Sequence, residues 1–418
     1  MTFSPLPQEL IDAIVDNLAG DLPSLRSCSL TSRTFAASAR PHIFRKLEIK
    51  PRIPPNWYFG SDTSESPPPS TCPQLLTLLT SSPHHALLVK ELCVVVMGAP
   101  SDRRGGRHVP WLMAGRSPLS LVLPLLNLKR ISLVENAHGG AVGDSYTMNW
   151  NRLGRQLKSA LADVFSSTTL QSVHLRGIVL ESPRQLFSFF SEASSLQELA
   201  LSRVHFERAD PWLVSKPWGP QLRSLLVSDM RSIHSLCQHL INPSIDLDHV
   251  SSLTITTTSG WMEKLIQASS HVENLRLVYS EVPPLGFLKP ILATHLRSIH
   301  FLTSSLFEFI AVFFKSCPHD SHLETITFEQ SAESRRSRHE APEADPSLNA
   351  AVNPTLVHLH YLKSVRIKRS VRRGTSPSVA FAAWAAAVQS SLPSLVRRRL
   401  LSVQQYGVPD DGVLHGFE

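Results

Sequence analysis

Residues 317–322, Cys-Pro-His-Asp-Ser-His, bring together side chains that are often found around zinc. A structural zinc site also needs a second pair of ligands, and none stands elsewhere in the sequence at zinc-binding spacing. We therefore interpret this segment as a polar loop in front of a strand and predict neither a metal site nor a cofactor. Two other histidine pairs are expected at the surface: His84 with His85, and His358 with His360.

Motifs that would indicate catalysis are missing from the sequence. A doubly wound α/β enzyme places a glycine-rich turn at a phosphate site, yet there is no G-x-G-x-x-G, no G-K-[ST] and no G-x-S-x-G. The Gly-Gly pairs at 105–106 and 139–140 lie in polar segments with no helical pattern after them. Since no nucleophile-and-base pattern can be located either, we predict a protein that is not an enzyme.

The cysteines and the hydropathy predict an intracellular protein. The five cysteines are odd in number and widely spaced, which favours reduced thiols over a disulfide framework. The N-terminus has no charged and then apolar leader, and the longest uncharged apolar run, 379–388, is too short and too rich in alanine to span a bilayer. We expect a cytoplasmic or nuclear protein without a membrane segment. The cysteines are Cys28, Cys72, Cys93, Cys237 and Cys317.

Positive charge is concentrated late in the chain, whose formal net charge is +7. Basic runs attract nucleic acid or acidic surfaces. No aromatic residues alternate with these basic ones and no nucleic-acid motif accompanies them, so the pattern favours a solvated face over a nucleic-acid site. Acidic segments of another protein are the alternative partner. The basic residues are Lys363, Arg366, Lys368, Arg369, Arg372, Arg373, Arg397, Arg398 and Arg399.

A hexamer of the form apolar-x-x-apolar-x-apolar recurs through most of the chain. Copies begin at 128, 170, 196, 222, 250, 272, 296, 323 and 362, and from 170 to 323 they stand 22 to 28 residues apart. Apolar residues at helical spacing predict helices between them at 233–241, 261–266 and 306–314. A strand followed by a helix at this interval predicts an α/β leucine-rich-repeat solenoid, with parallel strands on the concave side and helices on the convex side.

Strand alternation predicts which side chains face a partner. If the fourth and sixth positions of each hexamer point into the core, the third, fifth and seventh lie on the opposite, concave face. This face is rich in hydroxyl groups with scattered positive charge, which suits hydrogen bonding to a protein; the alternative is a face that is only solvated. The predicted substrate-binding residues are Ser132, His174, Arg176, Leu226, Thr254, Arg276, His300, Thr327 and Arg366.

The first forty-nine residues have a different, helical pattern. Pro7 suits the first turn of a helix whose apolar stripe runs to Leu18, and Gly20 is expected in a left-handed C-cap. Asp21 can cap a second helix. A third helix is predicted at 34–39, ending before Pro41, and an extended segment at 44–49. Three helices this short bury little surface, so the apolar stripe needs a partner.

This pattern resembles an F-box, in the form common among fungal F-box proteins. The resemblance rests on Leu6-Pro7-x-Glu9-Leu10-Ile11, Leu25-x-x-Cys28-x-Leu30, Ser32-Arg33-x-Phe35 and Pro41-x-x-Phe44, and covers about the first fifty residues. Phe35 stands where the family usually has tryptophan, and Ser32 where it often has cysteine. The family docks on a Skp-type adaptor, which links it to a cullin-based ubiquitin ligase. The resemblance implies these adaptor-binding residues: Leu6, Pro7, Glu9, Leu10, Ile11, Ile14, Leu25 and Phe35.

An F-box followed by leucine-rich repeats is itself a family architecture, in which the solenoid captures the protein to be ubiquitinated. The resemblance thus implies a non-catalytic substrate receptor of an SCF-type ligase, while the alternative is a leucine-rich scaffold with no ligase role. The predicted organisation is an F-box-like domain at 1–50, a linker at 51–73 rich in proline and serine, a solenoid at 74–375 with a disordered insertion at 330–354, and a C-terminal helical cap and tail at 376–418, with helices at 379–389 and 392–401.

Overall fold

The structure is a computed structural model, and it divides the chain into two compact units, residues 1–221 and 222–418. The described residues are 6–51, 71–97, 112, 117–136, 148–208, 218, 220–228, 233–241, 245–256, 261–279, 295–303, 305–318, 321–330, 346–372 and 378–408.

The first unit opens with three helices, two of which are capped at their starts by short polar side chains. They are α1 (Gln8–Asn17), α2 (Leu22–Thr31) and α3 (Arg33–Arg45). The carboxylate of Asp21 accepts the backbone N–H of Ser24 at 3.3 Å, which confirms the predicted cap of α2. Ser32 accepts the backbone N–H of Phe35 at 3.2 Å and caps α3, a role that the sequence analysis missed.

Two predictions about this segment are wrong. The helix α3 does not stop before Pro41 but continues through it to Arg45, so Phe44 is helical and the strand begins only at Lys46. Proline removes one backbone donor there, while Ile43 packs against the core of the three helices and stabilises the last turn. Gly20 has no positive φ, and therefore does not form the expected left-handed cap.

The first unit continues as parallel strands joined by helices. Strands β1, β2, β3, β5 and β7 pair side by side in that order, and β4, β6 and β8 form a small second parallel sheet that the sequence analysis did not anticipate. The strands are β1 (Lys46–Ile49), β2 (Glu91–Met97), β3 (Arg130–Asn136), β4 (Met148–Asn149), β5 (Ser172–Arg176), β6 (Ile178–Leu180), β7 (Glu198–Ser202) and β8 (His205–Phe206). The helices are α4 (Cys72–Ser81), α5 (Leu119–Val122), α6 (Arg155–Phe165) and α7 (Pro183–Phe189).

The second unit repeats the arrangement. Strands β9 to β15 are parallel and pair in chain order. They are β9 (Ser224–Ser228), β10 (Ser252–Thr256), β11 (Asn274–Tyr279), β12 (Ser298–Thr303), β13 (Thr325–Gln330), β14 (Ser364–Arg372) and β15 (Leu401–Val408). The helices are α8 (Ile233–Leu240), α9 (Trp261–Ala268), α10 (Leu306–Ser316), α11 (Pro346–Leu356), α12 (Ser378–Ser391) and α13 (Pro393–Arg397).

Alternate strand side chains build the core of each unit. The fourth and sixth residues of the predicted hexamers, such as Ile131 and Leu133, are buried throughout. In the second unit, Phe301 and Phe328 of neighbouring strands stack with ring centroids 5.5 Å apart, and Phe309 of α10 lies 4.7 Å from Phe301. Apolar strand residues thus face helices, which confirms the α/β class with parallel strands and helices.

Three boundaries differ from the predictions. Residues 346–356, partly inside the predicted disordered insertion, form helix α11, where Leu348 and Val352 are buried. The predicted helix at 392–401 ends at Arg397, and β15 follows by pairing with β14 through Val365 and Leu401. Helix α4 begins at Cys72, inside the predicted linker. Residues 52–70 of that linker and 331–345 of the insertion lie outside the described residues.

Among the residues that the structure describes, no helix is both long enough and apolar enough to cross a membrane.

Gly177, between β5 and β6, provides a test of the first unit. Its φ is +73°, and a Cβ atom there would lie 2.5 Å from the Cβ of buried Glu135. Gly177→Ala therefore adds both backbone strain and overlap, and we expect it to lower the free energy of unfolding by about 2–4 kcal/mol in urea denaturation.

Gly20→Ala is the matched control, because a Cβ at Gly20 meets nothing within 4 Å. It should leave stability nearly unchanged. Equal effects of the two substitutions would contradict the close approach of Gly177 to Glu135.

Candidate functional site

Helix α1 presents one apolar face to solvent. Leu10 and Ile14 are four residues apart on the helix, and Leu6 lies just before its start; the three side chains are 51%, 43% and 53% exposed, respectively. Pro7 and Glu9 beside them are exposed as well. Large apolar side chains that lie together in water indicate a surface for a partner.

The opposite face of α1 closes a small core of its own. Ile11 and Val15 pack with Leu25 of α2 and Ala39 of α3, all of them buried. Phe35 packs against this group and is only partly buried. Of the predicted adaptor-binding residues, Ile11 and Leu25 are therefore core residues rather than contact residues.

Polar contacts hold α1 on α3. Ser38 of α3 donates its hydroxyl to the Asp12 carboxylate at 2.6 Å, and Gln8 donates to the same carboxylate at 2.8 Å. These two bonds keep the pKa of Asp12 below its ordinary value. His42 Nε2 lies 3.0 Å from Asp16. The exposed apolar face of α1 is thus held in place by contacts within the three helices.

A groove of about 410 Å³ lies between the end of α3 and the first residues of the neighbouring strands. The Glu91 carboxylate lies 3.4 Å from Arg45 and 3.9 Å from Arg130, and Arg130 lies 3.6 Å from Glu198. These ion pairs link the end of α3 to β2, β3 and β7. The residues that line the groove are far apart in the chain, so no local sequence pattern predicts it.

The predicted substrate-binding residues form continuous rows across the strands. In the first unit, Ser132 is the register partner of His174. In the second unit the row runs, strand by strand, through Leu226, Thr254, Arg276, His300, Thr327 and Arg366. Side chains at these positions alternate with the core residues and therefore lie on the face opposite the helices. Leu226 and Thr327 are 5% and 7% exposed and offer a partner almost no surface.

In the first unit this face is centred on a neutral histidine. Burial, with a smaller effect from the positive charge of Arg176, lowers the pKa of His174 to about 4. Imidazole at this position is therefore uncharged at neutral pH, and can take part in hydrogen bonds but not in ion pairs.

In the second unit charged residues of several strands converge on one carboxylate. Glu329 of β13 lies 2.8 Å from His300 Nε2 and 4.0 Å from an Arg276 guanidinium nitrogen. Burial lowers the pKa of His300, while its hydrogen bond to Glu329 acts in the opposite direction. Alternation from Thr327 would have placed Glu329 on this face, but the sequence analysis did not single it out.

Burial suppresses the ionisation of four of the cysteine thiols. Burial raises the pKa of Cys72, Cys237 and Cys317 to about 12 and that of Cys93 to about 11, so these thiols remain protonated. Across the described ranges, no three His, Cys, Asp or Glu side chains are grouped to hold a metal ion.

The zinc-like segment does not come together as a site among the described residues. Cys317 is buried, whereas the ring of exposed His322 lies 5.1 Å from that of Tyr361. Residues 319–320 lie outside the described residues. His85, predicted at the surface, is instead half-buried and stacks on Phe44 at 4.6 Å.

A scan against models of known families finds none that matches this chain, and a search among curated proteins finds no significant relative.

His174 makes stability depend on pH. Because its pKa is about 4 in the fold and about 6.5 in an unfolded chain, the unfolded state binds more protons between these values, and stability falls as pH drops from 6.5 toward 4. We expect the free energy of unfolding, measured by urea denaturation, to decrease between pH 7.5 and pH 4.5, and His174→Gln should make this decrease smaller by up to about 3 kcal/mol.

His360→Gln, which removes an exposed histidine, serves as the control and should leave the pH dependence as it is. If His174→Gln unfolds with the same pH dependence as the unaltered chain, His174 is not held neutral by burial.

Proposed function

We propose that this chain is a substrate-recognition subunit of a cullin-RING (SCF-type) ubiquitin ligase in the cytoplasm or nucleus. Its three N-terminal helices would bind a Skp-type adaptor as an F-box does. The strands that follow would belong to irregular leucine-rich repeats, whose open sheet face would hold a protein substrate. Catalysis would belong to other subunits.

One observation carries the proposal: α1 keeps an exposed apolar face while its other face has a core of its own. Leu10 and Ile14 are about half exposed, whereas Ile11 and Val15 next to them are buried. Helices that only capped the array would be expected to turn their apolar side chains toward the strands. An exposed face on a fixed three-helix support instead favours docking of a second protein.

The way α3 joins the sheet also supports a receptor. Helix α3 is followed directly by β1, which pairs with β2, and the backbone N–H of Lys90 donates to the carbonyl of Arg45 at 2.9 Å. An adaptor bound on α1 would therefore be attached firmly to the first strands of the sheet.

The decisive experiment substitutes two exposed apolar residues of α1 together and measures binding of the adaptor. Leu10→Asp with Ile14→Asp places two charges on the α1 face, and we expect it to weaken binding of a purified Skp-type adaptor at least a hundredfold in calorimetry, because burying unpaired carboxylates at an interface is costly. The folded state should survive, since both side chains already contact water.

Leu121→Asp is the control, because Leu121 is 58% exposed on α5, outside the three helices. It should bind the adaptor like the unaltered chain. The ligase proposal is rejected if the unaltered chain does not bind the adaptor, or if the double variant binds it equally well. A scaffold with no ligase role would then be the remaining hypothesis.

A further inference from the structure

The open sheet face of the second unit carries more positive than negative charge. Its outward positions on β11 to β14 include Arg276, Arg366 and Lys368, together with His300, against the single carboxylate of Glu329. Their neighbours on the same face are mostly hydroxyl or amide side chains such as Thr254, Ser402 and Gln404. A surface of this composition favours a negatively charged and hydrogen-bonding partner.

Glu329 shows how these side chains hold an acidic group. Its carboxylate lies 2.8 Å from His300 Nε2 and 4.0 Å from an Arg276 guanidinium nitrogen, and it is only 6% exposed. Arg276 still has a buried Nε–H without a hydrogen-bond partner. Among the described residues, Arg366 and Lys368 form no ion pair, although Lys368 is the direct register partner of Glu329 on the next strand. Arg366, which is exposed, and Lys368, which is half-buried, therefore remain available to an external anion.

We propose that this face, which includes Arg276, Arg366 and Lys368, binds a protein segment that is extended and rich in aspartate or glutamate. This inference names the class of substrate for the proposed function. The role of the bound segment as a ligase substrate rests on that proposed function. Separate carboxylates fit better than one phosphate, because the cations are spread over the strands from β11 to β14 and a single doubly charged group can contact only one part of the row.

The spacing of the strands sets the spacing of the acidic groups. Arg276 on β11 and Arg366 on β14 are separated by three strand intervals, or about 14 Å at about 4.8 Å each. An extended peptide that crosses the strands covers this distance in about four residues, and residues four apart point to the same side. Acidic residues at alternate positions therefore match the face.

The test uses the full chain and a fluorescein-labelled dodecapeptide of alternating glutamate and serine, measured by fluorescence anisotropy. We expect saturable binding that weakens as salt is raised, and no binding of the same peptide with glutamine in place of glutamate. Arg366→Gln with Lys368→Gln should weaken binding about fivefold or more, since two charge contacts are lost.

Two further variants make the test specific. Lys264→Gln with Lys315→Gln removes the same charge from exposed positions of helices α9 and α10, and should bind the peptide like the unaltered chain. Glu329→Gln should strengthen binding a few-fold, because it removes the competing carboxylate from Arg276 and the negative charge from the face. Unchanged or weaker binding by Glu329→Gln would overturn the assigned site.

The affinity of the chain for two other anionic ligands also tests the proposal. Tighter binding of a phosphoserine-serine dodecapeptide or of a twelve-nucleotide poly(U) RNA would reject a carboxylate-rich protein segment as the partner. Adaptor binding is measured separately on the same proteins: the Arg366/Lys368 variant should retain it, and the Leu10/Ile14 variant should retain peptide binding. Failure of the ligase proposal is thus distinguished from failure of this surface.

Discussion

Burial of every second strand side chain beneath helices is the constraint on which both units depend. A short parallel strand offers too little apolar surface to be stable alone, so its apolar face must be covered by a helix and extended by the next strand. The stacked rings of Phe301 and Phe328 under α10 show this arrangement in the second unit. Because strand side chains alternate, the same constraint places the intervening residues together on the other face.

That second face has its own order, imposed by the parallel register. Arg276, His300 and Arg366 come from three strands, yet each occupies the same row of the sheet. A row of this kind needs no local motif, since pairing brings the residues together after the core positions are fixed. It can therefore vary in chemistry from strand to strand while the core stays apolar, which is what a recognition surface requires.

Glu135 departs from the apolar character of the core. It lies on the same side of β3 as the core residues Ile131 and Leu133, yet it is charged. It is 3% exposed and lies 3.4 Å from Arg203, whose φ is +51°. The absence of a side chain at Gly177 makes room for the glutamate. Burying a carboxylate is costly without a nearby counter-charge, and here Arg203 supplies one, while positive φ angles occur at both Gly177 and Arg203.

The sequence by itself determined the repeated strands, three of the helices between them and the strand residues in the core, because these depend on apolar periods of two and about four residues that are local in the chain. It also predicted the Asp21 cap, whose bond spans three residues. Only the tertiary structure decided that α3 runs through Pro41, that residues 401–408 form a strand and that 346–356 form a helix, since packing and pairing with distant residues outweigh local propensity. The same reason holds for function: the spacing of Leu10 and Ile11 is identical in any helix, and only packing of α1 on α2 and α3 decides which of the two faces water.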